Sequence, residues 1–152
     1  MKVKLIAFIV AAVTGVVVGT AGPAAADYHY SADPVHVARD GITFYLMVEY
    51  DSISDHVRAE GRIVSTSGHA GRMNWIHLFL DTSTPPSQAI VANYSPPGGL
   101  ATNTSISAYA GPVACNHFGT VYYRAQMSIH EDGTSWNYLL ETPEVFTPCW
   151  TP

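Results

Sequence analysis

The chain is poor in positive charge and has no lysine beyond its first four residues. Seven of its 152 residues are lysine or arginine, against 12 aspartates and glutamates, and the lysines are Lys2 and Lys4. The other basic residues are arginines spread along the chain. A surface that binds nucleic acid or anionic lipid needs a cluster of positive side chains. The sequence therefore argues against a nucleic-acid partner and against attachment to a membrane surface.

Signatures of common enzyme classes are missing as well. The chain has no G-x-S-x-G, no S-x-x-K and no H-E-x-x-H, the spacings that mark serine hydrolases and zinc peptidases. Heptads, short repeats and capped amphipathic helices are also absent from residues 27–152, which excludes a coiled coil or a repeat array. These absences favour a non-enzymatic protein.

The amino end has the pattern of a signal peptide. Lys2 and Lys4 precede an apolar run over residues 5–18, and Gly22-Pro23 then leads into three alanines at 24–26. Small residues at this point suit signal peptidase, so we predict cleavage after Ala26. The alternative is an uncleaved membrane anchor over residues 5–26. We therefore expect a signal peptide at 1–26 and one secreted, extracellular domain at 27–152, with the alanine-rich leader typical of bacteria.

Cysteine is nearly absent, since Cys115 and Cys149 are the only two. In an exported chain an even pair predicts a disulfide, because the space outside the cell is oxidising. Their spacing matches no zinc or redox motif. We expect Cys115 to be bonded to Cys149.

Short β-rich runs alternate with turn residues throughout the predicted domain. Turn-forming Gly, Pro, Asn, Asp and Ser residues flank nearly all of these runs. We predict about eight strands, at residues 34–38, 43–51, 56–65, 74–80, 89–94, 105–109, 120–130 and 135–145. At the second strand, one face carries Ile42, Phe44, Leu46, Val48 and Tyr50. The other face carries Thr43, Tyr45 and Glu49. The pattern predicts an all-β fold, an antiparallel β-sandwich of Ig-like or jelly-roll-like type with one disulfide, and a barrel is the alternative.

Asp132-Gly133 predicts the turn of the last hairpin. Asp-Gly between two alternating runs is typical of a two-residue type I′ turn. Pairing outward from such a turn sets Ile129 against Trp136 and Met127 against Tyr138. Continuing this pairing to the open end of the hairpin places Cys115 one residue short of a position directly opposite Cys149, which adds to the disulfide prediction.

Histidine is abundant, with seven residues, but only His29 has a spacing that suggests a metal. Cleavage after Ala26 makes Asp27-Tyr28-His29 the new amino end. A free amine, two deprotonated amides and an imidazole at position three form a square-planar nitrogen set suited to Cu(II) or Ni(II). The resulting metal site would consist of Asp27, Tyr28 and His29.

Tyrosine and tryptophan are the other surplus and suggest a binding function. Exposed rings stack on sugars or pack in protein interfaces, and the candidate ligand-binding residues are Tyr94, Tyr122 and Trp150. We expect a secreted binding module for carbohydrate or an extracellular protein partner. One alternative is a small hydrolase with a His/carboxylate site, for which the carboxylates would come from Glu49, Glu60, Glu141 and Glu144. Another is an inhibitor-like or cell-surface structural protein that presents the loop 83–88 or 111–119.

The copper hypothesis predicts that the exported protein has Asp27 as its first residue and takes up one equivalent of Cu(II). The His29→Ala variant should lose this uptake, because the fourth nitrogen ligand is gone, whereas His36→Ala should keep it. Intact-mass analysis followed by a spectroscopic Cu(II) titration measures both. Equal uptake by the wild type and His29→Ala would dismiss the site.

Overall fold

A computed structural model describes residues 28–30, 33–83, 86–115 and 121–145. For residues 28–30, 82–83 and 86–87 it describes the backbone alone. The predicted signal peptide, Asp27, Cys149 and Trp150 therefore lie outside the described residues. Within the described ranges every regular element is a β-strand, and none of these residues forms a helix that could cross a membrane.

Ten strands make up the described fold. In chain order they are β1 (Tyr28–Tyr30), β2 (Val35–Arg39), β3 (Ile42–Asp51), β4 (His56–Ser65), β5 (Gly71–Ser83), β6 (Pro86–Tyr94), β7 (Leu100–Thr102), β8 (Ser105–Ala114), β9 (Val121–Glu131) and β10 (Asn137–Glu141). Each of the eight predicted strands is present, and β1 and β7 are additional three-residue strands.

The strands form two antiparallel sheets of five strands each. Sheet A has the order β1-β3-β4-β8, with β2 pairing beside β1 on the same edge of β3. Sheet B has the order β10-β9-β5-β6, with β7 pairing beside β6 on the same edge of β5. One edge of each sheet is therefore divided between two short strands. The predicted all-β fold with antiparallel sheets is confirmed.

Alternation along the strands places one apolar face of each sheet inside. In β9 every second residue from Val121 to Glu131 is buried. In β3 the inner residues Ile42, Phe44, Leu46 and Val48 are fully or almost fully buried, as the sequence predicts. The buried apolar side chains of both sheets form one cluster, so the sheets pack face to face in a sandwich-like arrangement.

Glycine allows the two sheets to approach closely at β4. A Cβ atom added at Gly61 would lie 2.6 Å from the sulfur of Met127 and 2.8 Å from Cδ1 of Ile76, both in sheet B. At the start of β5, a Cβ added at Gly71 would lie 2.8 Å from Ile42 and 2.9 Å from Phe44 of sheet A. Side chains of the opposite sheet thus occupy the space that a larger residue would need at either glycine.

The register predicted for the last hairpin is wrong by two residues. Tyr138 pairs with Ile129 and Leu140 pairs with Met127, so the loop is longer than Asp132-Gly133. A shift of two residues preserves the side-chain faces, because side chains repeat every two residues. The correction also removes the hairpin argument for a Cys115–Cys149 bond, although the argument from secretion remains.

The longer hairpin loop is stabilised by contacts that a two-residue turn would not allow. The Asp132 amide donates to the Ala70 carbonyl at 3.0 Å, and the Asp132 carboxylate accepts two hydrogen bonds from Arg72, at 2.7 and 2.8 Å. The Thr134 hydroxyl donates to the Glu131 carbonyl and accepts from the Trp136 amide. These bonds continue the pairing of β9 with β5 through Asp132, so the chain turns only afterwards.

The two loops predicted for an inhibitor-like role are shorter than expected. β8 extends to Ala114, so the first residues of the predicted loop 111–119 are strand. Likewise Ser83 ends β5 and Pro86–Gln88 begins β6. Pro86 is the first residue of β6 and Pro112 lies at the bulge of β8, and both strands are edge strands, where proline is tolerated. The edge position explains why proline did not end the strands here.

The disulfide stays a prediction. Cys115 is buried at the end of β8, and its amide donates to the Asp55 carbonyl at 2.9 Å. Cys149 lies outside the described residues, so no cysteine pair can be formed from the described part of the chain.

Replacing Gly61 by valine should lower the free energy of unfolding by about 1–3 kcal/mol, because the new side chain must displace Met127 and Ile76 from the core. Chemical denaturation measures the change. Ser107→Val is the matched control, since Ser107 is an exposed residue of β8 opposite Arg62, and it should leave the stability unchanged. Equal stabilities of Gly61→Val and the wild type would contradict close packing at this position.

Candidate functional site

The outer face of sheet A carries an unusual number of buried side chains for a face directed away from the core. Met47 and Glu49 of β3 point outward, opposite in direction to the core residues Leu46 and Val48, and yet each is only 4% exposed. Glu60 on β4 is also outward and only 9% exposed. Buried carboxylates on an outer sheet face require polar partners, because burying an unpaired charge is costly.

Glu49 and Glu60 form a carboxylate pair with Arg58. Glu49 pairs directly with Arg58 across β3 and β4, and Arg58 Nε donates to Glu49 Oε2 at 2.5 Å. Glu60 lies on the same outer face of β4 as Arg58 and supplies the second carboxyl group. Two adjacent carboxylates with one guanidinium leave one negative charge uncompensated, which makes ionisation of the second carboxyl beside the first less favourable.

Burial raises the pKa of Glu49 above its usual 4.5, and the neighbouring Glu60 raises it further, against the opposing effect of Arg58. A carboxyl with a raised pKa binds its proton more tightly in the folded chain than in the unfolded chain. Stability from this group is therefore greatest at low pH and falls as the pH rises from the unfolded value through the folded one. Such pKa shifts are typical of functional sites, although structural ion pairs also produce them.

A bulge in β8 shapes this part of the face. The register between β4 and β8 shifts between Val57 and Ala59, so Arg58 lies opposite an irregular segment that includes Gly111 (φ +107°). A Cβ atom at Gly111 would lie 3.2 Å from both the Arg58 Cβ and the Val57 carbonyl. Glycine is needed here for its positive φ and for the close approach.

Aromatic rings flank the carboxylate pair on both sides. The Arg58 guanidinium carbon lies 4.1 Å from the ring centroid of Tyr109, a cation–π contact, and Tyr109 is 40% exposed. Toward the other edge of the sheet, the rings of Tyr45 and His36 are 5.8 Å apart. The face thus combines charged groups with rings that have an apolar surface and a polar tip.

A cavity of about 360 Å³ lies beside the carboxylate pair, lined by Pro34, Tyr45, Met47, Arg62 and Val64. Met47 pairs with Glu60 and Tyr45 pairs with Arg62, so the cavity and the carboxylates occupy adjacent rows of β3 and β4. The volume lies at the lower end of the roughly 300–1,000 Å³ of small-ligand sites. We call the cavity together with Glu49, Glu60, Arg58 and Tyr109 the sheet A site.

The geometry of the carboxylate pair does not suit glycoside hydrolysis. Glycosidases hold their two carboxyl groups about 5–5.5 Å or 6.5–9.5 Å apart, so that a sugar carbon or a water fits between them. Glu49 and Glu60 instead act on each other directly, since Glu60 raises the pKa of Glu49 by charge and by hydrogen bonding. Such a pair can accept hydrogen bonds from a ligand.

No cluster of three or more metal-ligating side chains occurs among the described residues. The predicted copper site depends on Asp27, which lies outside them. The backbone of Tyr28 and His29 pairs with Asp51 and Tyr50 in sheet A. Cu(II) binding would deprotonate the Tyr28 and His29 amides, so it would compete with any hydrogen bonds that these amides donate to β3. The metal site stays a prediction.

The predicted ligand-binding residues do not converge in the described structure. Tyr94 pairs with Ile76 and packs against the core cluster. Tyr122 pairs with Asp81 and points to the outer face of sheet B, because its neighbour Tyr123 is buried in the core. Trp150 lies outside the described residues. Tyr122 and the sheet A site are thus on opposite sides of the sandwich.

The outer face of sheet B has an aromatic column whose polar neighbours are paired with one another. The rings of Trp75 and His77 stack at 4.2 Å, and burial lowers the pKa of His77. The Arg124 guanidinium lies 5.0 Å from the Phe79 ring and bonds to Asp81 and Glu141. The rings cover part of each other's faces, and the charges are paired with one another. The cavity of about 360 Å³ lies on the other sheet, which makes the sheet A site the stronger candidate.

A third cluster lies where the hairpin loop meets β2 and the β4–β5 connection. Glu131 is only 2% exposed; its carboxylate accepts from Arg39 Nε at 3.0 Å and lies 3.6 Å from His69 Nδ1. The Arg39 guanidinium also lies 5.2 Å from the Trp136 ring, which stacks on Tyr138. These contacts connect the loop to both sheets, which is a structural role.

The sequence indicated part of the sheet A site and missed the rest. Glu49 and Glu60 were among the candidate carboxylates, but their burial and contact were not predicted. Met47 on the polar face of β3 was the available signal, because an apolar residue among outward polar ones indicates a covered patch. Arg62 and Tyr45 had no signal of their own.

Removing the charge of Glu60 should lower the pKa of Glu49, because Glu60 raises it by repulsion and by hydrogen bonding. In the wild type, carboxyl-carbon NMR should give a Glu49 midpoint above 4.5, and in Glu60→Gln a lower one. Asp132 is the internal control, since its hydrogen bond with Arg72 holds its pKa below the usual value in both proteins. An ordinary Glu49 midpoint in the wild type would contradict both the burial of Glu49 and its interaction with Glu60.

No protein-family model and no curated protein matches this chain. The side chains of the two sheet faces are therefore the basis for inferring a function.

Proposed function

We propose that this protein is a secreted, non-enzymatic binding module that binds carbohydrate through the sheet A site. The observation that carries the proposal is the buried carboxylate pair beside a cavity on the outward face of a sheet. Polar groups fixed at the edge of an otherwise apolar cavity are typical of small-ligand sites.

The chemistry of the site suits sugars. Sugar hydroxyls both donate and accept hydrogen bonds, and carboxylates and guanidinium groups supply fixed acceptors and donors for them. Sugar C–H surfaces pack on ring faces, which Tyr45 at the cavity and Tyr109 beside Arg58 provide. Existing contacts hold Glu49, Arg58 and Tyr109 in place, so little side-chain entropy is lost when a ligand binds.

A protein partner is the less favoured occupant of this face. A stable protein–protein interface buries about 800 Å² on each partner and has an apolar centre. The sheet A site instead has a charged centre beside a small cavity.

The remainder of the proposal is that the sandwich is of Ig-like or jelly-roll-like type, that a Cys115–Cys149 disulfide fixes the carboxyl end, and that the mature chain is extracellular.

The alternative of a small hydrolase is favoured by one observation, the 3.6 Å approach of His69 to the buried Glu131. A carboxylate beside Nδ1 would orient the imidazole as a general base, with its Nε2 available to a substrate. If hydrolytic activity is detected, its loss in His69→Ala but not in Glu60→Gln would favour this alternative over the binding module.

Binding to a glycan array, followed by calorimetry on the best ligand, tests the proposed function. Tyr45→Ala and Glu60→Gln should each weaken binding by about tenfold or more, equivalent to about 1.4 kcal/mol. Trp75→Ala is the control, because Trp75 lies on the outer face of sheet B, and it should bind as the wild type does.

Two results would contradict this proposal. One is an array with no glycan bound by the folded wild type. The other is loss of binding in Trp75→Ala with binding retained in Tyr45→Ala, which would move the site to sheet B.

A further inference from the structure

We infer that the carbohydrate bound by the sheet A site is an acidic one, whose carboxylate binds Arg62. This inference rests on the proposed function and names the class of sugar. The observation behind it is that Arg62 differs from every other described arginine in its lack of a carboxylate partner.

The other four arginines each form an ion pair. Arg39 bonds to Glu131 at 3.0 Å, Arg58 to Glu49 at 2.5 Å, and Arg72 to Asp132 at 2.7 Å. Arg124 bonds to Glu141 at 2.5 Å and lies 3.4 Å from Asp81. The chain has more acidic than basic residues, so carboxylates are plentiful, and each of these four arginines is bonded to at least one.

Arg62 has no ion pair and no side-chain hydrogen bond among the described residues, although Glu60 lies two positions away on the same face of β4. It is exposed and lines the cavity with Tyr45, Met47 and Val64. Its cross-strand neighbours, Tyr45 on β3 and Ser107 on β8, carry no charge. An unpaired guanidinium at the wall of a largely apolar cavity leaves its donors free for a ligand.

The geometry of guanidinium favours a carboxylate as that ligand group. One arginine binds one carboxylate through two parallel hydrogen bonds, and such charge-assisted bonds are among the strongest in proteins. A phosphate or sulfate carries more charge and needs more donors, and Arg62 is the only unpaired arginine in the described part of the chain. A single carboxylate on a sugar ring matches the single cation.

The acidic groups near the cavity limit the size of the ligand. Glu60 faces the same side as Arg62, whereas the charge of Glu49 is already offset by Arg58. A long polyanion would be repelled by the excess of acidic residues, because repulsion extends over about 8 Å at physiological salt. We therefore expect short acidic oligosaccharides to bind better than long ones.

Trisaccharides of glucuronate, galacturonate and mannuronate, each compared with its methyl ester, test this inference. The ester keeps the sugar skeleton and removes the charge. Calorimetry on the wild type should give at least about tenfold tighter binding for one acid than for its ester. Arg62→Gln should bind both forms with the affinity of the ester, and Arg124→Gln, which changes an arginine of the other sheet, should keep the preference for the acid. Thermal unfolding of each variant confirms that it is folded.

The outcomes separate this inference from the proposed function. If neutral glycans or the esters bind as well as the acids, or if Arg62→Gln keeps the acid preference, the inference is overturned and the binding function stands. If the folded wild type binds neither acidic nor neutral glycans, both are overturned.

Discussion

The close approach of the two sheets is the constraint on which the rest of the structure depends. Gly61 and Gly71 leave space that side chains of the opposite sheet fill, so the inner faces interdigitate at these positions. Because side chains alternate along each strand, this inner packing fixes which residues point outward. The positions of Glu49, Glu60 and Arg62 on the outer face of sheet A are thus consequences of the core.

Scarcity of cations determines how charge is arranged on the outer surface. Basic side chains are few, and three of the five arginines connect distant parts of the chain. Arg72 joins β5 to the hairpin loop, and Arg39 joins β2 to the end of β9. Against this background an arginine that lines a cavity without a carboxylate partner is informative, because the chain offers acidic residues that could have paired with it.

Local alternation was sufficient to predict the strands, their faces and the all-β fold, since burial follows the two-residue period directly. The register of the last hairpin was not predictable, because the two hydrogen bonds from Arg72 that extend the pairing through Asp132 come from a strand sixty residues earlier. The carboxylate pair was missed for the same reason. Alternation shows that Glu49 points outward, but only the pairing of β3 with β4 places Glu60 and Arg58 beside it.

The divided outer edges of the two sheets have a consequence for contact between copies of the protein. A continuous, flat edge strand offers a row of free backbone groups on which another copy can pair and begin a fibril. Here β1 with β2, and β6 with β7, interrupt that row on one side of each sheet, and the edge strands β6 and β8 carry prolines that cannot donate. Interrupted edges of this kind hinder neighbouring molecules from adding to the sheets on these sides.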